Sequence, residues 1–284
     1  MTGQDLWRAM SRVDPQLVED AAAEPAGRGR VLRRTLTIAA CLCLLLTGGA
    51  WAAEALWGVQ VTDIFQGREE SGFRVALEGE TVSADDFSSP ELTAALETIR
   101  QQYADARPWD SRAPGYYHAE RDTWAACEAF LGVSLENPLE GLEGLENFSN
   151  SGSERAPHCS VSLYTTPEGT LSWIAADATY QTAGCKVQLE VNFAPEEGGM
   201  EPELRYLYDG KADFTTETIQ LSDGREATLV TARQPDAKYS EQEVFFAQDG
   251  GMYNLRVWRW APAESAETRL ETVQETLDAL LQLF

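Results

Sequence analysis

The chain has 284 residues, 43% of them hydrophobic, and a formal charge of −24 at pH 7. A chain of that size and composition can bury one sizeable core, or two smaller ones, without covalent staples, which excludes a disordered protein. Residues 1–56 hold six arginines against six acids, so the whole acidic excess lies beyond them, and such a surface excludes nucleic-acid binding.

The first segment, 1–34, reads as a tail carrying a short amphipathic helix over about 3–23. Leu6, Met10, Val13, Leu17 and Val18 recur at near-helical spacing, and Asp14-Pro15 marks a break or a second helix start. Leu6, Met10 and Leu17 are the candidate partner-binding residues here, for a cytoplasmic regulator. An interfacial helix or a frayed tail accounts for the same stripe, because a helix this short is marginal on its own.

From Thr35 to Ala53 no residue is charged, and Leu36 to Leu46 is strongly apolar. At about 1.5 Å per residue the uncharged run would reach roughly 28 Å, close to a hydrocarbon core of about 30 Å. Residues 35–56 therefore read as a single-pass transmembrane helix of the signal-anchor type. Arg28, Arg30, Arg33 and Arg34 crowd its N-terminal flank and Trp51 and Trp57 its other end, which predicts a cytoplasmic N-terminus and an extracytoplasmic domain at the cell membrane. Two competing readings are a cleaved signal peptide, from Ala50-Trp51-Ala52, and a lipoprotein, from Ile38-Ala39-Ala40-Cys41. The long arginine-bearing leader argues against the first, and the short apolar stretch before Cys41 argues against the second.

Beyond Trp57 the pattern changes to short strands and a few helices. Within 57–135, Gly58 to Phe65 and Gly72 to Leu77 read as extended, and Leu92, Leu96, Ile99 and Tyr103 share one face of a helix from about Ser89 to Ala104. A loop with Pro108, Pro114 and Gly115 follows. Asp122 or Thr123 then caps a second helix with a stripe of Trp124, Cys127, Phe130 and Leu131, stopped by Gly132. Residues 136–157, with repeated Leu-Glu-Gly phrases and a run rich in serine and asparagine, form a loop or linker.

Within 158–284, Ser160 to Tyr164, Leu171 to Thr179 and Lys186 to Phe193 alternate as strands with one wet side, Val187, Leu189, Val191 and Phe193 facing the core. Asp223-Gly224 and Asp249-Gly250-Gly251 signal two hairpins. Leu270, Val273, Leu277, Leu280, Leu281 and Phe284 place an amphipathic helix at about Ser265 to Leu283. The expected fold class is α+β, an antiparallel sheet with packed helices and this C-terminal helix laid across it.

The tail with Asp14-Pro15-Gln16-Leu17-Val18, the arginine-flanked span, the helix with Trp124 and Ala129-Phe130-Leu131-Gly132, and the terminal hairpin and helix together resemble anchored proteins of Gram-positive Firmicutes. That resemblance implies an anti-sigma-like or sensor-type outer domain. Residues 1–34 contain neither His nor Cys, so the zinc motif by which many membrane anti-sigma factors hold their sigma factor is absent from them.

No enzymatic constellation emerges. There is no G-x-S-x-G, phosphate-binding glycine loop, H-E-x-x-H or dinucleotide fingerprint. His118 and His158 lack metal partners at motif spacing, and His158 and Cys159, as neighbours on a strand, should point to opposite faces, so neither a metal nor a cofactor is expected. Cys127, Cys159 and Cys185 leave two options, a Cys159–Cys185 bridge or buried free thiols. Trp109, Tyr116 and Tyr117 beside Pro108 and Pro114 are candidate partner-binding aromatics, with core filling the alternative; the same holds for Trp258 and Trp260, which alternate with Arg256 and Arg259. The functional expectation is a non-catalytic binding or sensory module, with an envelope scaffold or an envelope enzyme as alternatives.

Overall fold

The computed structural model describes residues 58–66, 70–78, 82–105, 115–149, 157–182, 184–199, 203–209, 212–233 and 238–284, all within one unit, Leu56–Phe284. In chain order these give strands β1 (Gly58–Gln66) and β2 (Glu70–Glu78), helix α1 (Pro90–Asp105), β3 (Gly115–Arg121), helix α2 (Trp124–Leu131), β4 (Glu146–Asn147), β5 (Cys159–Thr165) and β6 (Leu171–Gln181). They continue with β7 (Lys186–Phe193), β8 (Glu203–Asp209), β9 (Asp213–Gln220), β10 (Glu226–Arg233), β11 (Tyr239–Gln248), β12 (Gly251–Trp260) and helix α3 (Ala266–Leu281). The architecture is thus mainly antiparallel sheet with a few helices, which fits an α+β or a mostly-β class.

Nine strands form one sheet in the order β3-β5-β6-β7-β12-β11-β10-β9, with β4 pairing β6. A three-stranded sheet runs β1-β2-β8, and every pairing in both is antiparallel. Each sheet draws strands from both sides of residues 136–157, so that segment connects elements of one unit and is no boundary between domains.

The alternation of side chains along each strand gives the large sheet two different faces. On one, Val161, Leu163, Ile174, Val187, Leu189, Val191, Val244, Phe246, Leu255 and Val257 meet Leu92 and Ile99 of α1, Phe130 of α2, and Val273 and Leu277 of α3. On the other, Trp173, Val230, Phe245 and Met252 meet Val59, Phe73, Val75 and Tyr208 of the small sheet. The described residues therefore form three layers: helices, large sheet, small sheet. Phe73 lies at the centre of the second core, stacked on Tyr206 at 5.0 Å and edge-on to Phe245 at 5.9 Å.

Local chemistry sets the element ends. Thr123 caps α2 by accepting from the Ala126 amide, and Gly132 closes it in the left-handed region at φ 77°. A Cβ at Gly132 would also meet the Ser88 carbonyl oxygen at 2.1 Å. Asp249 (φ 49°) and Gly250 (φ 73°) make the two-residue turn between β11 and β12, in the conformation that matches strand twist.

The transmembrane, single-pass assignment is corrected. Among the described residues no helix is long and apolar enough to cross a membrane. The longest, α1 and α3, have 16 residues each, roughly 24 Å at the helical rise, and both bear charged outer faces. Residues 35–56, and the tail 1–34 with Leu6, Met10 and Leu17, lie outside the described residues. The extracytoplasmic placement rested on that span alone.

One further expectation changes, and one pair of alternatives is resolved. The strands at 158–193 do not have a plain wet side, because the small sheet and a set of half-buried and buried polar side chains occupy that face. Cys127, Cys159 and Cys185 are buried free thiols: Cys159 faces Cys127, whereas Cys185 sits by Thr272 and Thr276 of α3, so no Cys159–Cys185 bridge forms.

Candidate functional site

The polar face of the large sheet becomes a concave site where the small sheet stops covering it. Three neighbouring strands, β7, β12 and β11, place Lys186, Trp258 and Glu241 in one cross-strand row. The next row pairs Trp260 with Tyr239, and the row on the inner side pairs Arg256 with Glu243. All these positions share one face, since partners across a ladder and residues two apart along a strand point the same way. Lys186, Tyr239, Glu241, Arg256, Trp258 and Trp260 line a cavity of about 260 Å³.

Its walls are aromatic. Trp260 is 63% exposed and stacks on Tyr239 at 6.4 Å with 15° between the rings. The Arg256 guanidinium lies 5.3 Å from the centre of the Trp258 ring. Its floor is a buried ionic network. Arg256 Nε donates to Glu241 Oε2 at 3.0 Å, and a second guanidinium nitrogen donates to the same oxygen. Glu241 is 1% exposed, and its Oε1 has no hydrogen-bond partner. The Tyr208 hydroxyl, with a single proton to give, donates to Glu243 Oε1 at 2.7 Å, and Asn254 Nδ2 donates to Glu243 Oε2 at 2.8 Å.

Burial on this face perturbs the acids. Glu190 is pushed up to about 7 by burial, reinforced by the Asp177 and Glu243 carboxylates. Burial likewise raises Asp177, against the hydroxyl that Ser160 donates to it, and Glu243, against the pull of Arg256. For Arg256, burial acts to lower its pKa, but the Glu241 and Glu243 carboxylates outweigh it and the net shift is upward. The guanidinium is a fixed charge holding the floor together.

The aromatic trio read from sequence does not form one surface. Tyr116 is 48% exposed at the edge strand β3, 5.0 Å from the Tyr164 ring, while Tyr117, one residue on, turns to the helix face and stacks on Phe130 at 6.1 Å. Strand alternation separates them. Trp109 lies outside the described residues. His118 Nδ1 is 3.2 Å from Ser162 Oγ, on the face shared with Tyr116. Sequence reasoning marked Trp258 and Trp260 but missed Glu241, Tyr239 and Lys186. The i, i+2 spacing of Arg256, Trp258 and Trp260 was the available signal; the neighbours on β7 and β11 carry none.

His158 and Cys159 also behave otherwise than their adjacency suggests. His158 lies in a bend just before β5, so strand alternation does not apply to it, and both side chains converge on Glu140. Comparison with protein-family models, curated proteins and solved structures gave no match.

Proposed function

We propose that the protein is a non-catalytic binding or sensory module whose site is the aromatic cavity at the end of the large sheet, and that its ligand is neutral and rich in hydroxyl groups, of saccharide type. The observation that carries the reading is the row of rings lining the cavity, exposed Trp260 stacked on half-buried Tyr239 and next to half-buried Trp258, over the Arg256–Glu241 pair. The charges decide among ligand classes. A cation would meet Lys186 and Arg256, and an anion would meet a chain of charge −24 with Glu241 and Glu243 below. A neutral polyol can use acceptors and donors together while its apolar ring face stacks on tryptophan.

Intrinsic tryptophan fluorescence of the full chain, titrated with a panel of neutral oligosaccharides, tests the reading. At least one should give a saturable change, weakened roughly tenfold (about 1.4 kcal/mol) in Trp258→Ala and in Trp260→Ala. Unchanged affinity in both variants, or binding confined to amines or carboxylates, rejects this site or this ligand class.

A further inference from the structure

A second cluster, apart from the cavity above, joins side chains of three different kinds. Glu140 comes from the Leu-Glu-Gly segment, held against the core by fully buried Leu139 and by the Asn137 side chain, which accepts from the Leu139 amide at 3.0 Å. The Tyr180 hydroxyl donates to Glu140 Oε2 at 2.8 Å and accepts from Asn137 Nδ2 at 2.8 Å, which fixes the carboxylate. His158, its side chain 4% exposed, places Nε2 3.3 Å from the same oxygen, with its ring edge-on to Tyr180 at 5.6 Å. The Thr179 amide donates to the His158 carbonyl oxygen at 2.9 Å and sets the backbone there. Cys159 is 2% exposed and is the third member; the imidazole nitrogen, thiol sulfur and carboxylate oxygen all lie within 4.8 Å of one another.

We propose that Glu140, His158 and Cys159 form a binding site for a divalent transition metal ion of the zinc type. Zinc takes nitrogen, sulfur and oxygen ligands at about 2.0–2.3 Å, so tetrahedral ligands sit roughly 3.3–3.7 Å apart. The His158–Glu140 separation of 3.3 Å already equals one such edge, and the thiol needs to close by at most about 1 Å to complete the face. Soft sulfur with imidazole selects zinc or cobalt over magnesium or calcium, which prefer oxygen ligands. The hydrogen bond from Tyr180 is the kind of outer contact that orients a ligating carboxylate. The second thiol, Cys127 on α2, donates to the Ser160 carbonyl oxygen at 3.8 Å and flanks the site. A cavity of about 150 Å³ lined by His118, Asp177, His158 and Cys159 gives an ion its way in.

The test uses the full chain with Cys41→Ser and Cys43→Ser, so that thiols outside the cluster near the N-terminus do not contribute, and with the remaining thiols reduced. Cobalt(II) is added and the sulfur-to-metal charge-transfer absorption is followed, then zinc is used to displace it. One equivalent should bind with a thiolate band and tetrahedral visible absorption. Cys159→Ser should abolish the band, His158→Gln should weaken binding at least tenfold, Tyr180→Phe should weaken it about tenfold, and Cys185→Ala, at the α3 side, should leave it unchanged. Absence of the band in the reduced parent chain overturns the site whatever the variants do. So does equal loss in Cys185→Ala, which would mark metal taken up by thiols irrespective of the Glu140–His158 pair.

Discussion

Among single residues, Glu190 carries the clearest consequence. Its pKa is raised from 4.5 to about 7 because the face it occupies is half-closed and already holds Asp177 and Glu243. A carboxyl raised on folding lends stability that is fully present below its unfolded value and is lost as pH climbs through its folded one, here between about 4.5 and 7. Asp177 and Glu243, also raised by burial, act in the same sense. Urea midpoints should therefore fall from pH 5 to pH 8. Glu190→Gln should flatten that slope and gain on the order of 2 kcal/mol at pH 8; a variant with the parent's slope would show that Glu190 stays ionised throughout.

At the scale of elements, α3 shows how far local pattern reaches. Ser265 caps it by accepting from the Thr268 amide at 3.1 Å, and Val273, Leu277 and Leu280 form the buried stripe that the 3.6-residue period predicts. Leu277 is fully buried in the main core, whereas Leu283 just past the helix end is 37% exposed. Leu277→Ala should cost about 2–5 kcal/mol and Leu283→Ala within about 0.5 kcal/mol, measured by denaturant unfolding. Equal losses would mean that α3 packs by a different face. The hairpins at Asp223-Gly224 and Asp249-Gly250, the caps at Thr123 and Gly132, and the strand Lys186–Phe193 were legible because each is set by residues within a few positions. Strand β3 was not, since Pro114 and Gly115 read as loop and pairing with β5 overrides them. Nor was β8, which pairs with β2, more than 100 residues earlier in the chain.

For the molecule as a whole, charge is the dominant electrostatic fact. A chain of −24 repels itself when compact. Added sodium chloride shortens the screening length from about 10 Å at 0.1 M to roughly 3 Å at 1 M, so the urea midpoint should rise with salt over that range. A midpoint that falls instead would mean that internal ion pairs such as Arg259–Glu264 outweigh the repulsion.

What the sequence determined by itself was everything carried by periodicity and turn chemistry: an antiparallel sheet with a few helices, most strand and helix positions, the core-facing stripes, and the acidic excess beyond residue 56. The tertiary structure alone decided which strands became neighbours, and with that the three layers, the unbroken passage of both sheets across residues 136–157, and both candidate sites. Lys186, Glu241 and Trp258 stand in one row only because β7, β12 and β11 pair, and Glu140 reaches His158 and Cys159 only because a loop folds back on β6. The physical reason is range. Backbone preference and hydrophobic period act over a few residues, whereas a binding constellation is assembled by ladder register and packing between segments that the chain keeps far apart.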